Sequence, residues 1–262
     1  MVFHDRIDAG RRLAAALTNF RGDEVVVLGL PRGGVPVAAE VARALRAPLD
    51  VIVVRKVGVP WQPELAMGAV GEAGAGVVST GVVRLAGIKP EDLRTAQAHA
   101  RVEVRRRLQA LRGDRPPVDL SGRTALVVDD GIATGSTARV ACQIARSQGA
   151  ARVVLAVPVG APEAVRVMSE VADEVVCLLC PEPFGAVGAF YDDFSLTTDH
   201  DVSTILDEAL SSGVVSVPAG AAGMACCQPA TERRSSYTRK AGQTMALSTP
   251  NKPTQKPSAA PR

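Results

Sequence analysis

Asp129 and Asp130 stand side by side after the apolar run TALVV. The loop behind them carries Gly131, Ala133, Gly135 and the hydroxyl residues Thr134, Ser136 and Thr137. Adjacent carboxylates repel, so placing them together is costly unless a ligand uses both. The vicinal hydroxyls of a ribose can donate to the two acids, and a hydrated Mg²⁺ nearby can offset their charge. Glycines let the backbone turn with its N–H groups facing inward. A helix beginning at Ser136 would aim about half a positive charge into the same loop. The combination predicts a phosphate cradle with sugar-binding acids beside it. Taken singly, Asp130 would be a turn former and Ser136 an N-cap. Neither role accounts for the whole set.

Two basic clusters could serve the same ligand. Leu30-Pro31-Arg32-Gly33-Gly34 closes another apolar run, EVVVLGL. Its glycines allow close backbone approach, and Arg32 brings a planar, permanently charged fork; the plain alternative is a tight turn with a surface arginine. Arg55 and Lys56 precede a segment rich in Gly and Pro, where two cations suit a departing anion or form an ordinary solvated pair. Farther on, PEPFGAVGAFYDDF holds Phe184, Val187, Phe190, Tyr191, Asp192 and Phe194. Its aromatics offer either a stacking face for a planar base or a capping mini-core.

Other chemistries find no support. There is no G-x-x-x-x-G-K-[ST], no G-x-G-x-x-G ahead of a helix and no G-x-S-x-G. Cys177 and Cys180 form C-x-x-C inside EVVCLLC, which reads as a strand, so the two point to opposite faces and are expected as buried structural thiols. Cys226 and Cys227 read as free thiols. His4, His99 and His200 have no metal-ligand spacing.

The elements that must position these groups follow from periodicity. Helices are expected over 5–17, 35–45, 91–111, 136–148, 162–171 and 202–210. Strands are expected over 24–30, 49–54, 124–129, 152–157 and 174–179. Residues 55–76 read as loop with strand fragments, and 181–199 as irregular. Arg101, Arg105, Arg106 and Arg112 form a solvated outer side of the 91–111 helix. Strands alternating with helices predict an α/β fold with a mostly parallel central sheet and flanking helices.

The 262 residues are 47% apolar but only 3% aromatic, which suits aliphatic strands under Ala-rich helices. From Val214 onward seven basic residues face one acid, Glu232, leaving 23 basic and 26 acidic residues before it. The folded part therefore has no cationic excess to suggest a nucleic-acid partner. The expected division is a folded domain over 1–211, with a hood at about 181–199, and a disordered, basic Pro/Ser/Thr/Ala-rich tail over 212–262. No apolar run approaches the ~20 residues of a membrane span. The start, MVFHDRIDAGRR, has no apolar secretory core, so a cytoplasmic protein with no membrane partner is expected.

On these residues, VVDDGIATGST resembles the motif that binds 5-phosphoribosyl-1-diphosphate (PRPP) in type I phosphoribosyltransferases, over a likeness that covers residues 1–210. The resemblance implies ribose hydroxyls on Asp129 and Asp130, which would meet Mg²⁺ through water or ribose. It implies the 5′-phosphate on Ala133, Thr134, Gly135, Ser136 and Thr137, and the diphosphate on the Arg32-Gly33-Gly34 turn. Arg55 and Lys56 would belong to a flexible loop closing over the site, with Arg32, Arg55 and Lys56 as catalytic cations. Phe184, Val187, Tyr191 and Asp192 would form the acceptor hood. Val187-Gly188 with Asp192 is similar to the hood of the 6-oxopurine members, where the matching acid helps position magnesium. Those members carry an acid at the position of Ala133, whereas the adenine and uracil members carry Ala, so the acceptor stays open. The resemblance implies transfer of the phosphoribosyl group to a nucleobase or other amine, or alternatively a non-catalytic PRPP or nucleotide sensor. It also implies a homodimer.

Overall fold

Runs of Val, Leu and Ala too apolar to face water on either side must be covered on both, and that requirement sets the architecture. The structure is a computed structural model and describes residues 3–21 and 24–211. The expected tail, 212–262, lies outside the described residues. In chain order the elements are α1 (Arg6–Ala16), β1 (Val25–Gly29), α2 (Gly34–Leu45), β2 (Leu49–Val51), β3 (Arg55–Val59), β4 (Gln62–Val70) and β5 (Gly76–Val78). They continue with α3 (Thr80–Leu85), α4 (Pro90–Arg112), β6 (Thr124–Val128), α5 (Ser136–Ser147), β7 (Arg152–Val159), α6 (Pro162–Met168), β8 (Glu174–Leu179) and α7 (Asp199–Ser211). The chain adopts the expected α/β fold. Five parallel strands lie in the order β2-β1-β6-β7-β8.

Side chains alternate across this sheet and divide the core. Val25, Val27, Leu126, Val128 and Val154 pack with α1, α2, α4 and α7 on one face. Val26, Leu28, Val127, Val153 and Leu155 pack with α5 and α6 on the other. The chain leaves β1 toward the first face and β6 toward the second. These two strands are neighbours in register, Gly29 opposite Val128. Their following loops therefore part in opposite directions and open a crevice at the strand ends, where open α/β sheets bind ligands.

Residues 55–76 depart from expectation. They form an antiparallel sheet, β3-β4-β5, with a register irregularity around Gly58. The glycines that read as loop signals mark close backbone approach instead. A Cβ on Gly58 would lie 2.3 Å from the Pro63 carbonyl oxygen, and one on Gly68 would lie 2.6 Å from that of Val77. The helix α3 is a further departure, β7 runs on to Val159, and α6 stops at Met168. Of the C-x-x-C pair, Cys177 is half-buried but Cys180, just past the end of β8, is exposed.

Arg112 corrects the solvated-face reading of α4. It is buried, 5% exposed, where the last turn of α4 meets β2. Its Nε donates to Asp50 Oδ1 at 2.9 Å, Nη1 to Glu72, and Nη2 to the Val51 carbonyl at 3.3 Å. Asp50 also accepts from the N–H groups of Val51 and Val118. Burial still outweighs these partners and pushes its carboxyl above the ordinary range. Arg112→Met should therefore strand a buried carboxylate and cost about 3 kcal/mol in urea unfolding. Adding Asp50→Asn should recover part of the loss; a single variant as stable as wild type would show the cluster to be dispensable.

Candidate functional site

Before they part, the loops after β1 and β6 touch at their bases, with no room for a side chain at Gly33 or Gly34. Leu30 N–H donates to the Val128 carbonyl at 2.9 Å. A Cβ on Gly33 would fall 2.0 Å from Asp130 Oδ2, and one on Gly34 would fall 2.6 Å from the Val128 carbonyl oxygen. The turn Arg32-Gly33-Gly34 is thus laid directly against Asp129 and Asp130. The Pro31–Arg32 peptide is cis. The sequence motifs separated by about a hundred positions are one site because β1 and β6 are sheet neighbours.

The carboxylate pair is electrostatically loaded. Burial and the neighbouring Asp130 charge hold the Asp129 carboxyl well above the ordinary carboxylate range. Burial raises Asp130 as well, opposed by a hydrogen bond from Arg6. Arg6 Nε donates to Asp130 Oδ2 at 2.8 Å, Nη1 donates to the Ser195 carbonyl at 2.7 Å, and the guanidinium lies 3.9 Å from the Phe194 ring centroid. Sequence reasoning missed Arg6. Its partner is 124 positions away, and nothing in the spacing of α1 announces it.

The cradle is built as a turn onto a helix. Ile132 bridges Gly160 at the edge of β7, donating to the Val159 carbonyl at 3.0 Å. Gly135 has φ of +67° and caps α5 without a side chain to engage the helix's first N–H groups. Thr134 Oγ1 and Ser136 Oγ lie 3.2 Å apart, and Lys56 Nζ donates to Ser136 Oγ at 2.7 Å. Lys56, at the start of β3, therefore reaches the loop after β6 itself. The other cations have acidic neighbours: Arg55 pairs with Glu103 at 2.8 Å, and Arg32 lies 3.8 Å from Asp199.

The hood folds back on itself. Phe184 and Phe190 stack at 5.5 Å and pack beside Val159 and Phe3. Tyr191 is buried, 6% exposed, against Phe3, and its hydroxyl donates to the Asp130 carbonyl at 2.5 Å. Its ring is thus a support beneath the carboxylates rather than an open stacking face. Val187 lies over the loop, where a Cβ on Gly131 would come within 2.6 Å of it. Asp192 holds the N-terminal segment through its backbone N–H, which donates to the Phe3 carbonyl, while its exposed carboxylate sits 4.0 Å from His4.

No three His, Cys, Asp or Glu side chains converge as a metal-binding group among the described residues. Asp192 therefore does not complete a chelate with Asp129 and Asp130. Two carboxylates beside a loop of hydroxyl and N–H donors still suit Mg²⁺, which keeps several waters and needs only one or two carboxylates from the protein. A cavity of about 440 Å³ lies elsewhere, lined by Asp50, Glu72, Arg112 and Leu120. Every guanidinium nitrogen of Arg112 is already engaged there, so it offers a ligand no free charge. Among the described residues no helix is long and apolar enough to cross a membrane.

Known proteins resemble this chain in sequence and fold. Residues 3–194 match the model of the phosphoribosyl transferase domain. Two curated proteins of Mycobacterium tuberculosis, from strains CDC 1551 and H37Rv and each named "Putative phosphoribosyl transferase", are 52% identical over 208 residues. That alignment covers 79% of this chain and 47% of theirs, so the chain spans about half the length of these relatives. The crystal structure of TT1426 from Thermus thermophilus is 47% identical, with a TM-score of 0.74 over 79% of this chain and 99% of that one.

The raised carboxyl of Asp129 has a measurable consequence. The folded protein holds this proton more tightly than the unfolded chain, whose value is 3.8. Its stabilising contribution is complete below that value and is lost as pH rises through the folded one. Asp129→Asn removes the loss while keeping an oxygen to accept from the Asp130 N–H. The ligand-free variant should melt about 3 °C above wild type at neutral pH, a gain that fades toward pH 4. A gain independent of pH would contradict the assignment.

Proposed function

This chain belongs to the phosphoribosyl transferase domain family, and on that premise we propose that it transfers the 5-phosphoribosyl group of PRPP to a nitrogen nucleophile, a nucleobase or another amine, releasing diphosphate. The observation that carries the reading is the contact of the Arg32-Gly33-Gly34 turn with Asp130, which sets a side-chain-free backbone turn directly against the adjacent acid pair.

In this reading Asp129 and Asp130 accept hydrogen bonds from the ribose 2′- and 3′-hydroxyls. The loop from Ala133 to Thr137 binds the 5′-phosphate with N–H and hydroxyl donors, and Lys56 adds its charge through Ser136. The backbone at Gly33 and Gly34 approaches the diphosphate closely. The nucleophile's lone pair forms a bond to C1 as the C1–O bond to diphosphate breaks, with inversion, and the surplus proton on nitrogen leaves to solvent or a base. Charge develops as in glycosidic cleavage, positive on the ring and negative on the departing oxygen. Arg32, Arg55 and Lys56 answer the second of these, and no covalent enzyme intermediate is needed. Mg²⁺, bound with the diphosphate, would supply further neutralisation of the leaving group. Phe184, Val187, Tyr191 and Asp192 shape the acceptor side, Tyr191 from beneath. A homodimer in the cytoplasm is part of the same proposal.

Ala133 favours a second reading, a PRPP or nucleotide sensor, because the position offers no acid to take a proton from a purine. Calorimetric titration of PRPP with and without Mg²⁺, followed by a diphosphate-release screen over bases and amines, separates the two. Magnesium-dependent binding that disappears in Asp129→Asn/Asp130→Asn, with release for at least one acceptor, is expected. Binding without release for any acceptor would favour the sensor, and no binding would contradict both.

A further inference from the structure

Arg32 is not the only guanidinium at its end of the crevice. Its Nη1 lies 3.8 Å from Asp199 Oδ1, and Nη2 of Arg107 lies 3.3 Å from the same oxygen. Two arginines from separate elements, the loop after β1 and the C-terminal half of α4, thus converge on one atom. Asp199 lies in the first turn of α7, where the helix dipole supports a negative charge. One turn earlier on α4, at i−4 from Arg107, Glu103 pairs with Arg55. The same side of α4 therefore meets both Arg32 and Arg55 by way of carboxylates.

This arrangement holds an anion loosely. Both separations exceed the ~2.8 Å of a tight charge-assisted bond. The side chains of Arg32, Arg107 and Asp199 are 37%, 41% and 43% exposed, so water and salt already compete for the contacts. Two cations share one acid oxygen. Paired planar forks suit the oxygens of a phosphoryl group as well as those of a carboxylate.

We propose that Arg107 is a second binding residue for the diphosphate, acting with Arg32, and that Asp199 is an internal anion that keeps the pair assembled until the diphosphate displaces it. The inference rests on reading the crevice as a PRPP site. It adds a residue from α4 that no motif marks, and it gives the carboxylate at the start of α7 a role in ligand exchange. Asp199 competes with the ligand in exchange for pre-ordering two flexible side chains.

Inorganic diphosphate and ribose 5-phosphate, titrated separately in the presence of magnesium, read the two halves of the site independently. Arg107→Gln should weaken diphosphate binding about 10-fold and leave ribose 5-phosphate unchanged, with Arg107→Lys recovering part of the loss. Asp199→Asn should tighten diphosphate about 3-fold by removing the competitor. Equal loss of both ligands in Arg107→Gln would mark a structural role and overturn the assignment, as would unchanged diphosphate affinity. Asp199→Asn with no gain, or a loss, would overturn the displacement. If wild type bound neither ligand, the PRPP reading beneath the inference would itself fail.

Discussion

Two neighbouring carboxylates at the end of a buried strand are the constraint around which this crevice is organised. Burial works against the ionisation of both, and the Asp130 charge works further against that of Asp129. The surroundings answer with one strong counter-charge, Arg6, itself held in place by a carbonyl and an aromatic ring. Gly33 and Gly34 are required because the neighbouring loop must pass within contact distance of the pair. Tyr191 ties the hood to the backbone of Asp130. The hood, the glycine turn and the acid pair are thereby referred to one point in the sheet.

The same theme extends outward. The cations assigned to phosphate chemistry each have a polar partner in the ligand-free protein: Lys56 on Ser136, Arg55 on Glu103, Arg32 and Arg107 on Asp199. A site that must neutralise a highly charged ligand would repel itself when empty. Exposed or half-exposed pairs of this kind contribute little to stability and exchange readily. In the proposed reading they keep the site assembled without closing it. The Arg112 cluster differs in kind: it is buried, fully bonded and tied to fold stability, even though both clusters are built from arginine and carboxylate.

Local patterns made much of this legible. The run from Thr124 to Thr137 announces strand, acid pair, loop and helix in order, and each is found in that order. The βα alternation yields the parallel sheet by the same logic. What escaped was long-range. Arg6, Arg107 and Asp199 carry no motif, because their meaning comes from contacts across the fold. Arg112 reads as one more charge on a basic helix face, and only its burial and its bonds to Asp50, Glu72 and Val51 show it to be interior. The β3–β5 sheet escaped because Gly and Pro read as turn signals where Gly58 and Gly68 serve strand-to-strand approach. In the hood, sequence could supply the aromatics but could not show that Tyr191 faces inward.

The central claim, that the Asp129–Asp130 pair is the sugar site of a phosphoribosyl ligand, is tested most directly by a crystal structure of the protein with PRPP and magnesium. The account predicts ribose hydroxyls within hydrogen-bond distance of both carboxylates and the 5′-phosphate against residues 133–137. It also predicts Arg6 withdrawn from Asp130 Oδ2 or sharing it. A ligand bound elsewhere, or a phosphate resting on the loop with the carboxylates untouched and Arg6 unmoved, would contradict it.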